Sequence, residues 1–282
     1  MKRQAKRGIA QRLGRGALAG VLLFGCPALW AQQGAPGNPG AAAAPPSAQD
    51  QAPYDPTGYW VSLITQNWRF RMVAKGPGDY IGAPINAQAK KLADAWTQAQ
   101  AQAAARDCEA YGGAIIMWLP EHLHISWQDA NDLRVQTDAG MQTRVLHFVS
   151  APEGTRAAAA APRDIQPSRQ GYSLARWVLA AGSQRGGRGA GAGAGMPRYG
   201  SLEVTTDHML PGLLAKNGIP YDGNTKKTEW WDLRKDSSGE QWLSISTTVV
   251  DPEYLTRPYI YDPVFQKEDD GAKWDPSPCS PL

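Results

Sequence analysis

The sequence predicts a mainly β fold, an antiparallel β-barrel or sandwich, with a lipocalin-like architecture as one form of it, and one N-terminal helix near 86–106. Three observations predict it: apolar residues alternate with period two over many short runs, turn residues punctuate those runs, and tryptophans fall on the runs themselves. Tyr59, Val61, Leu63 and Thr65 alternate with Trp60, Ser62, Ile64 and Gln66, and Trp68, Phe70 and Met72 extend the pattern opposite Arg69 and Arg71. Gly76-Pro77-Gly78-Asp79 then reads as a turn. The helix follows, with Asn86 as its cap and Leu92, Ala93, Trp96 and Ala99 as a narrow apolar stripe. Further strands are expected near 114–119, 122–128, 133–138, 141–149, 170–180, 200–206, 225–235 and 240–250, separated by turns such as Asp129-Ala130-Asn131-Asp132 and Tyr221-Asp222-Gly223-Asn224. Two segments break this rhythm and read as flexible insertions: Ala- and Pro-rich 151–168, and Gly-rich 182–198, which lacks the strand-to-helix setting of a phosphate-binding loop.

The N-terminus reads as an export signal. Lys2, Arg3, Lys6, Arg7, Arg12 and Arg15 precede a short apolar run from Ala17 to Trp30, and Ala31 supplies a small residue for cleavage. The run, interrupted by Gly20, Gly25 and Pro27, is too short for a transmembrane helix. A signal peptide over 1–31 implies a periplasmic or secreted protein. The minor alternative is an outer-membrane lipoprotein anchored at Cys26, after Leu23-Phe24-Gly25. Residues 32–53 are Gln, Ala, Gly and Pro with little else, and read as a disordered tether to a single β-rich domain over 54–282.

Cleavage changes the charge argument. The whole chain carries 29 Lys+Arg and 26 Asp+Glu. Six of the basic and none of the acidic residues precede Gln32, so the mature part holds 23 against 26, a formal charge of −3. The basic surplus belongs to the leader, which removes the argument for nucleic-acid binding. The mature chain keeps Cys108 and Cys279, with no C-x-x-C motif. In an oxidising compartment these are expected to form a structural disulfide, stabilising by about 4–5 kcal/mol through loop entropy.

Cys108 with Tyr111-Gly112, Leu133-Arg134-Val135-Gln136-Thr137-Asp138, Gly171-Tyr172-Ser173 with Trp177, and Leu202-Glu203-Val204-Thr205-Thr206 follow one another in order. Asn217-Gly218-Ile219-Pro220-Tyr221, Thr228-Glu229 and Asp251-Pro252-Glu253-Tyr254 with Pro258 complete the series. Together they resemble a family of uncharacterised secreted β-rich proteins of proteobacteria and acidobacteria, whose core resembles G-H-S-x-G-R-W-E-G-D-T-L-V-V. The likeness spans roughly 54–279 and implies a secreted β-rich domain without an assigned activity. Tyr172 and Tyr221 stand where related proteins frequently carry histidine. The segment after Trp177 has the long Gly/Ala insertion in place of a Glu-Gly-Asp turn.

Three constellations could carry chemistry. His122 and His124, two apart on a strand, share a face and with His147, Asp138 or His208 form a weak metal candidate. His124 with Asp138 could form an acid–base pair, with Arg144 holding an anionic group. No G-x-S-x-G nucleophile motif is present. Trp127, Tyr172, Trp177, His208, Tyr221 and Trp230 could line a cavity for a small, largely hydrophobic or aromatic ligand. The leading expectation is therefore an exported binding protein with no cofactor. The alternative is a lyase, isomerase or hydrolase using the His–Asp pair, and a purely structural envelope protein would leave the aromatic excess unexplained.

Overall fold

The computed structural model of the chain describes residues 46–65, 67–73, 75–149, 162, 164–180 and 199–280. The expected leader, residues 32–45 of the tether, most of the 151–168 insertion and all of the 182–198 insertion lie outside them. The strands, in chain order, are β1 (Gly58–Ser62), β2 (His122–Trp127), β3 (Asp132–Thr137), β4 (Thr143–Phe148), β5 (Tyr172–Leu179) and β6 (Gly200–Asp207). They continue with β7 (Gly212–Ala215), β8 (Ile219–Tyr221), β9 (Lys226–Lys235), β10 (Gln241–Val250), β11 (Tyr259–Tyr261) and β12 (Val264–Glu268). Nine of them close a barrel in the order β1-β2-β3-β4-β5-β6-β9-β10-β12 and back to β1. β11 adds to the far end of β10, and β7 with β8 forms a separate hairpin.

The period-two patterning dictates this closure. Trp60, Leu123, Ile125, Leu133, Val135, Leu146, Ala175, Leu202, Val204, Trp231, Leu243, Ile245 and Phe265 all point inward and interlock as one buried core. The barrel interior is therefore packed with side chains. Every neighbouring pair is antiparallel except β4 and β5, which run parallel with Leu146 opposite Ser173. That pair departs from the antiparallel expectation, and parallel neighbours need a longer connection than a hairpin.

One end of the barrel, here called the lower end, is plugged by Tyr54, Trp127, Phe148 and Trp177, with Tyr54 edge-on to Trp177 at 5.2 Å. The end of the expected tether is ordered there as α1 (Ala48–Gln51). Trp177 Nε1 donates to Ala48 O at 2.8 Å, and Ala48 N donates to Asn131 Oδ1 at 2.9 Å, so the fold begins before Tyr54.

The upper end carries a cap built from segments whose sequence misled the strand reading. Trp68–Arg71 is a helical turn, α2, and Ile116–Trp118 within the expected 114–119 strand is a 3-10 turn. Ala114 to Trp118 are buried throughout, and an unbroken apolar run reads alike as a strand or as a buried turn. The expected 86–106 helix is two helices, α3 (Ala87–Ala95) and α4 (Gln98–Ala103). Asn86 caps α3 as expected, but Trp96 leaves the helical region and Thr97 caps a second helix by accepting from Gln100 N. Trp96 is turned onto Gly218, where a Cβ would lie 2.5 Å from its own Cβ.

The Cys108–Cys279 disulfide is formed, spanning 171 residues. It joins the cap to the C-terminal tail, which also pairs along the barrel rim through Ser277 N to Asp138 O at 2.9 Å. Replacing Cys279 with serine is expected to lower unfolding stability by about 3–5 kcal/mol, read as a drop in urea midpoint. A midpoint equal to that of the oxidised wild type would show that the bridge constrains little.

Candidate functional site

The cap has its own apolar core of Ala114, Ile115, Trp118, Met209, Leu214, Ile219, Tyr221, Val249, Leu255 and Tyr261. Between this core, α2 and the barrel mouth lies a cavity of about 650 Å³. Phe70, Trp96, Tyr111, Trp118, Leu214 and Tyr259 provide its apolar walls, and Arg71, Lys75, Lys216 and Asn217 its polar ones.

Arg71 holds α2 against the mouth. Its Nε donates to Trp118 O at 3.0 Å and its Nη1 to Leu63 O at 2.7 Å, while Nη2 reaches Ser62 Oγ and Leu119 O. The guanidinium also lies 4.9 Å from the Trp118 ring centre. Burial lowers its pKa to about 10, against the opposing pull of Glu121. Lys75 sits 5.6 Å from the Phe70 ring and donates to Ile81 O at 3.4 Å. Burial pushes its pKa down, Asp79 opposes the shift, and Arg69 adds to it. Lys216 lies 4.9 Å from the Tyr111 ring and donates to Tyr111 Oη at 2.9 Å.

Asn217 joins two walls. Its Nδ2 donates to Asp79 O at 2.8 Å and Gly76 O at 3.3 Å, which fixes the amide orientation because both neighbours are acceptors. Its Oδ1 and the Trp96 Nε1 are left without a protein partner, both buried behind the wall surface. The Asn217-Gly218 turn, with Gly218 at φ 87°, is the hairpin signal that places Lys216 and Asn217.

Beneath the cavity, the upper lumen holds a buried charged cluster. Arg144 grips Glu229 through Nη2–Oε2 at 2.7 Å and Nη1–Oε1 at 3.2 Å, and Nη2 also reaches Ser173 and Thr206 hydroxyls at 3.3 Å. Lys227 Nζ lies 3.0 Å from Glu229 Oε1. Burial lowers the Lys227 pKa to about 7, with Arg144 adding to the shift and Glu229 and Glu121 opposing it. Burial alone would raise the Glu229 carboxyl, but Arg144 and Lys227 outweigh it and hold it below its ordinary value. Glu121 is held well above its usual range by burial and by Asp138.

The residues expected to act together are dispersed. His124 lies on the outer face of β2, stacked on Tyr59 at 4.3 Å with Nδ1 3.2 Å from Gln136 Oε1. Asp138 instead pairs with His122, Nδ1–Oδ2 2.6 Å, and Arg144 points into the lumen. His147 pairs with Asp132 at 3.0 Å and stacks on Tyr172 at 4.6 Å, near the opposite end of β3 from the His122 pair. Among the described residues no group of three metal-capable side chains assembles.

None of the six expected ligand residues lines the cavity. Trp127 and Trp177 plug the lower end, Tyr172 and Trp230 face outward, and His208 pairs with Asp207 at 2.7 Å. Tyr221 packs into the cap core against Gly112 and Gly212. The cavity residues Trp96, Trp118 and Tyr259 carry no ligand signal in the sequence: Trp96 reads as part of a helical stripe, Trp118 lies in an unbroken apolar run, and Tyr259 belongs to a strand too short to alternate.

Lys227→Met tests the charged cluster. In wild type, the unfolded chain binds a proton that the folded chain lacks between pH about 7 and 10.5, so the lysine's contribution to stability rises with pH across that window. Urea unfolding of both proteins from pH about 6 to about 10 should show wild type gaining on the variant as pH rises. Parallel curves would mean that Lys227 keeps its charge when folded.

No family model, curated protein or solved structure matches this chain. The resemblance drawn from its motifs therefore rests on those residues alone, and function has to be argued from the cavity.

Proposed function

We propose that this protein is an exported binding protein that holds a small, largely apolar or aromatic molecule in the cavity between the cap and the barrel mouth. One observation carries the reading: an aromatic-walled cavity of about 650 Å³, a volume within the range of small-molecule sites, beside a lumen already filled with side chains. Its walls come from cap segments held by Arg71, Asn217 and the disulfide, which favours a site formed before the ligand arrives. The alternative acid–base reading gains no support from His124, whose ring meets Gln136 on the outer face.

The export reading rests on the basic-then-apolar leader and agrees with the disulfide; among the described residues no helix is long and apolar enough to cross a membrane. A periplasmic or secreted location follows, with a lipid anchor at Cys26 as the lesser form.

The binding test uses N-phenyl-1-naphthylamine, a neutral apolar dye whose emission rises in dry surroundings. Wild type should enhance it saturably, Ala215→Trp should fill the cavity and abolish the enhancement, and Trp230→Ala on the outer face should leave it intact. Enhancement that survives Ala215→Trp would move the ligand elsewhere. For export, the intact mass of protein from a bacterial periplasm should correspond to a chain starting at Gln32 and short of two hydrogens; a mass retaining residues 1–31 would overturn the leader.

A further inference from the structure

We infer that the cap docks on the surface of anionic phospholipid bilayers through an apolar, basic patch formed by α2, the segment after it and α3. The inference goes beyond the cavity's ligand and stands whether or not the cavity binds one. Trp68 is 58% exposed, Met72 51%, Val73 39% and Ile81 64%, four large apolar side chains that the fold leaves in water. They lie together. Trp68 and Met72 are one helical turn apart, with Met72 N donating to Trp68 O at 2.8 Å. Ile81 is held near them by Lys75 Nζ, which donates to Ile81 O at 3.4 Å. Gly82 next to it packs on α2, where its Cβ would lie 3.5 Å from the Phe70 ring. A contiguous exposed apolar patch of this kind marks a surface that something covers.

Charge identifies the covering surface. Residues 67–95 hold five basic and two acidic residues, which leaves 18 basic and 24 acidic for the rest of the chain from Gln32. The patch is the positive pole of an otherwise negative molecule. Arg69 follows Trp68, and Lys75 lies 5.6 Å from the Phe70 ring. Exposed Lys90 and Lys91 follow on α3, with Lys90 5.4 Å from the Tyr80 ring. The carboxylates of this segment are already engaged, Asp79 by Arg69 at 3.0 Å and Asp94 by Lys90 and the Tyr80 hydroxyl, each at 2.6 Å. Glu253, from another segment, accepts from the Gln88 amide at 2.6 Å. Lysine is depleted from protein–protein interfaces, whereas Trp and aliphatic side chains beside Lys and Arg are the composition of segments that lie in a headgroup layer. Attraction of the positive pole and repulsion of the negative remainder favour the same orientation, cap towards the bilayer. Met72, Val73 and Lys75 also line the cavity, so docking brings its wall to the surface where apolar molecules partition.

The test is flotation with vesicles, using protein that starts at Gln32 because the basic, apolar leader would bind vesicles by itself. Wild type should float with vesicles of phosphatidylcholine and phosphatidylglycerol in equal parts, and about tenfold or more weakly with phosphatidylcholine alone. Added salt should weaken the binding to the anionic vesicles. Trp68→Ser with Ile81→Ser, both exposed positions, should cut that binding by about tenfold or more. Lys75→Gln with Lys91→Gln should erase the preference for the anionic lipid, and Trp230→Ala on the barrel's outer face should change neither. Equal binding to both vesicles by wild type, or none, would overturn the inference. Anionic binding that survives Trp68→Ser with Ile81→Ser would place the contact on another surface and overturn the patch. A dimer in solution that the same two substitutions dissolve would assign the patch to a second copy of the chain, and the bilayer reading would fall.

Discussion

Closure of the barrel on its own side chains is the constraint from which the rest of the molecule follows. Trp60 and Trp231, both fully buried, occupy the lumen together with Leu123, Ile125, Leu243 and Phe265. A nine-stranded barrel has no second layer to pack against, so its inward residues must fill the interior by themselves. A cavity of any size then has to form where barrel packing ends. At the lower end Tyr54 and Trp177 seal the opening, with Tyr54 Oη donating to Trp231 O at 2.6 Å. Among the described residues, an aromatic-walled space lies where the cap meets the upper mouth.

The same constraint explains the buried charges. Toward the upper end the inward positions turn polar: Thr137, Arg144, Ser173, Thr206, Lys227, Glu229 and Thr247. Removing ions from water costs several kcal/mol each, and here the cost is offset by geometry. Glu229 receives two nitrogens of Arg144 and faces Lys227, while hydroxyls of Ser173 and Thr206 occupy a remaining guanidinium proton. Burial lowers the Lys227 pKa, and Arg144, sharing the single carboxylate with it, lowers it further. The cluster fixes which strands meet: Arg144 on β4, Ser173 on β5, Thr206 on β6 and Glu229 on β9 are successive neighbours in the barrel. An ion pair that binds only in one register specifies it more strongly than apolar residues, which tolerate slippage.

The barrel was legible because alternation survives in the sequence of each long strand. Tyr59–Ser62, Leu133–Thr137 and Trp230–Leu233 all show it, and Trp230-Trp231 does place one indole outside and one in the core. The cap was not legible, because its segments are buried on several sides and carry no single period. Ile115, Ile116 and Met117 are all fully buried, which no amphipathic pattern can signal. Short strands such as β7, β8 and β11 offer too few residues to alternate, and Trp96 reads as part of a helical stripe until its backbone leaves the helix. The candidate site consists almost wholly of these illegible pieces. His122 and His124 were correctly placed on one face, but partner choice depended on register, and the register gives Asp138 to His122.

A site assembled from distant segments needs ties that keep its walls together, and these ties converge on Tyr111. Its ring lines the cavity and lies under the Lys216 ammonium, while its hydroxyl donates to Ser280 O and accepts from Lys216 Nζ and Ser280 N. Ser280 follows Cys279, and Cys108 precedes the turn that carries Tyr111, so the disulfide closes a loop through the aromatic wall. Gly140 is pressed so closely against the same ring that a side chain there would clash with it. The bridge thus acts on the site as well as on the unfolded chain. It sets the position of the aromatic wall residue that lies under the Lys216 ammonium, so the wall and the tail are held as one unit.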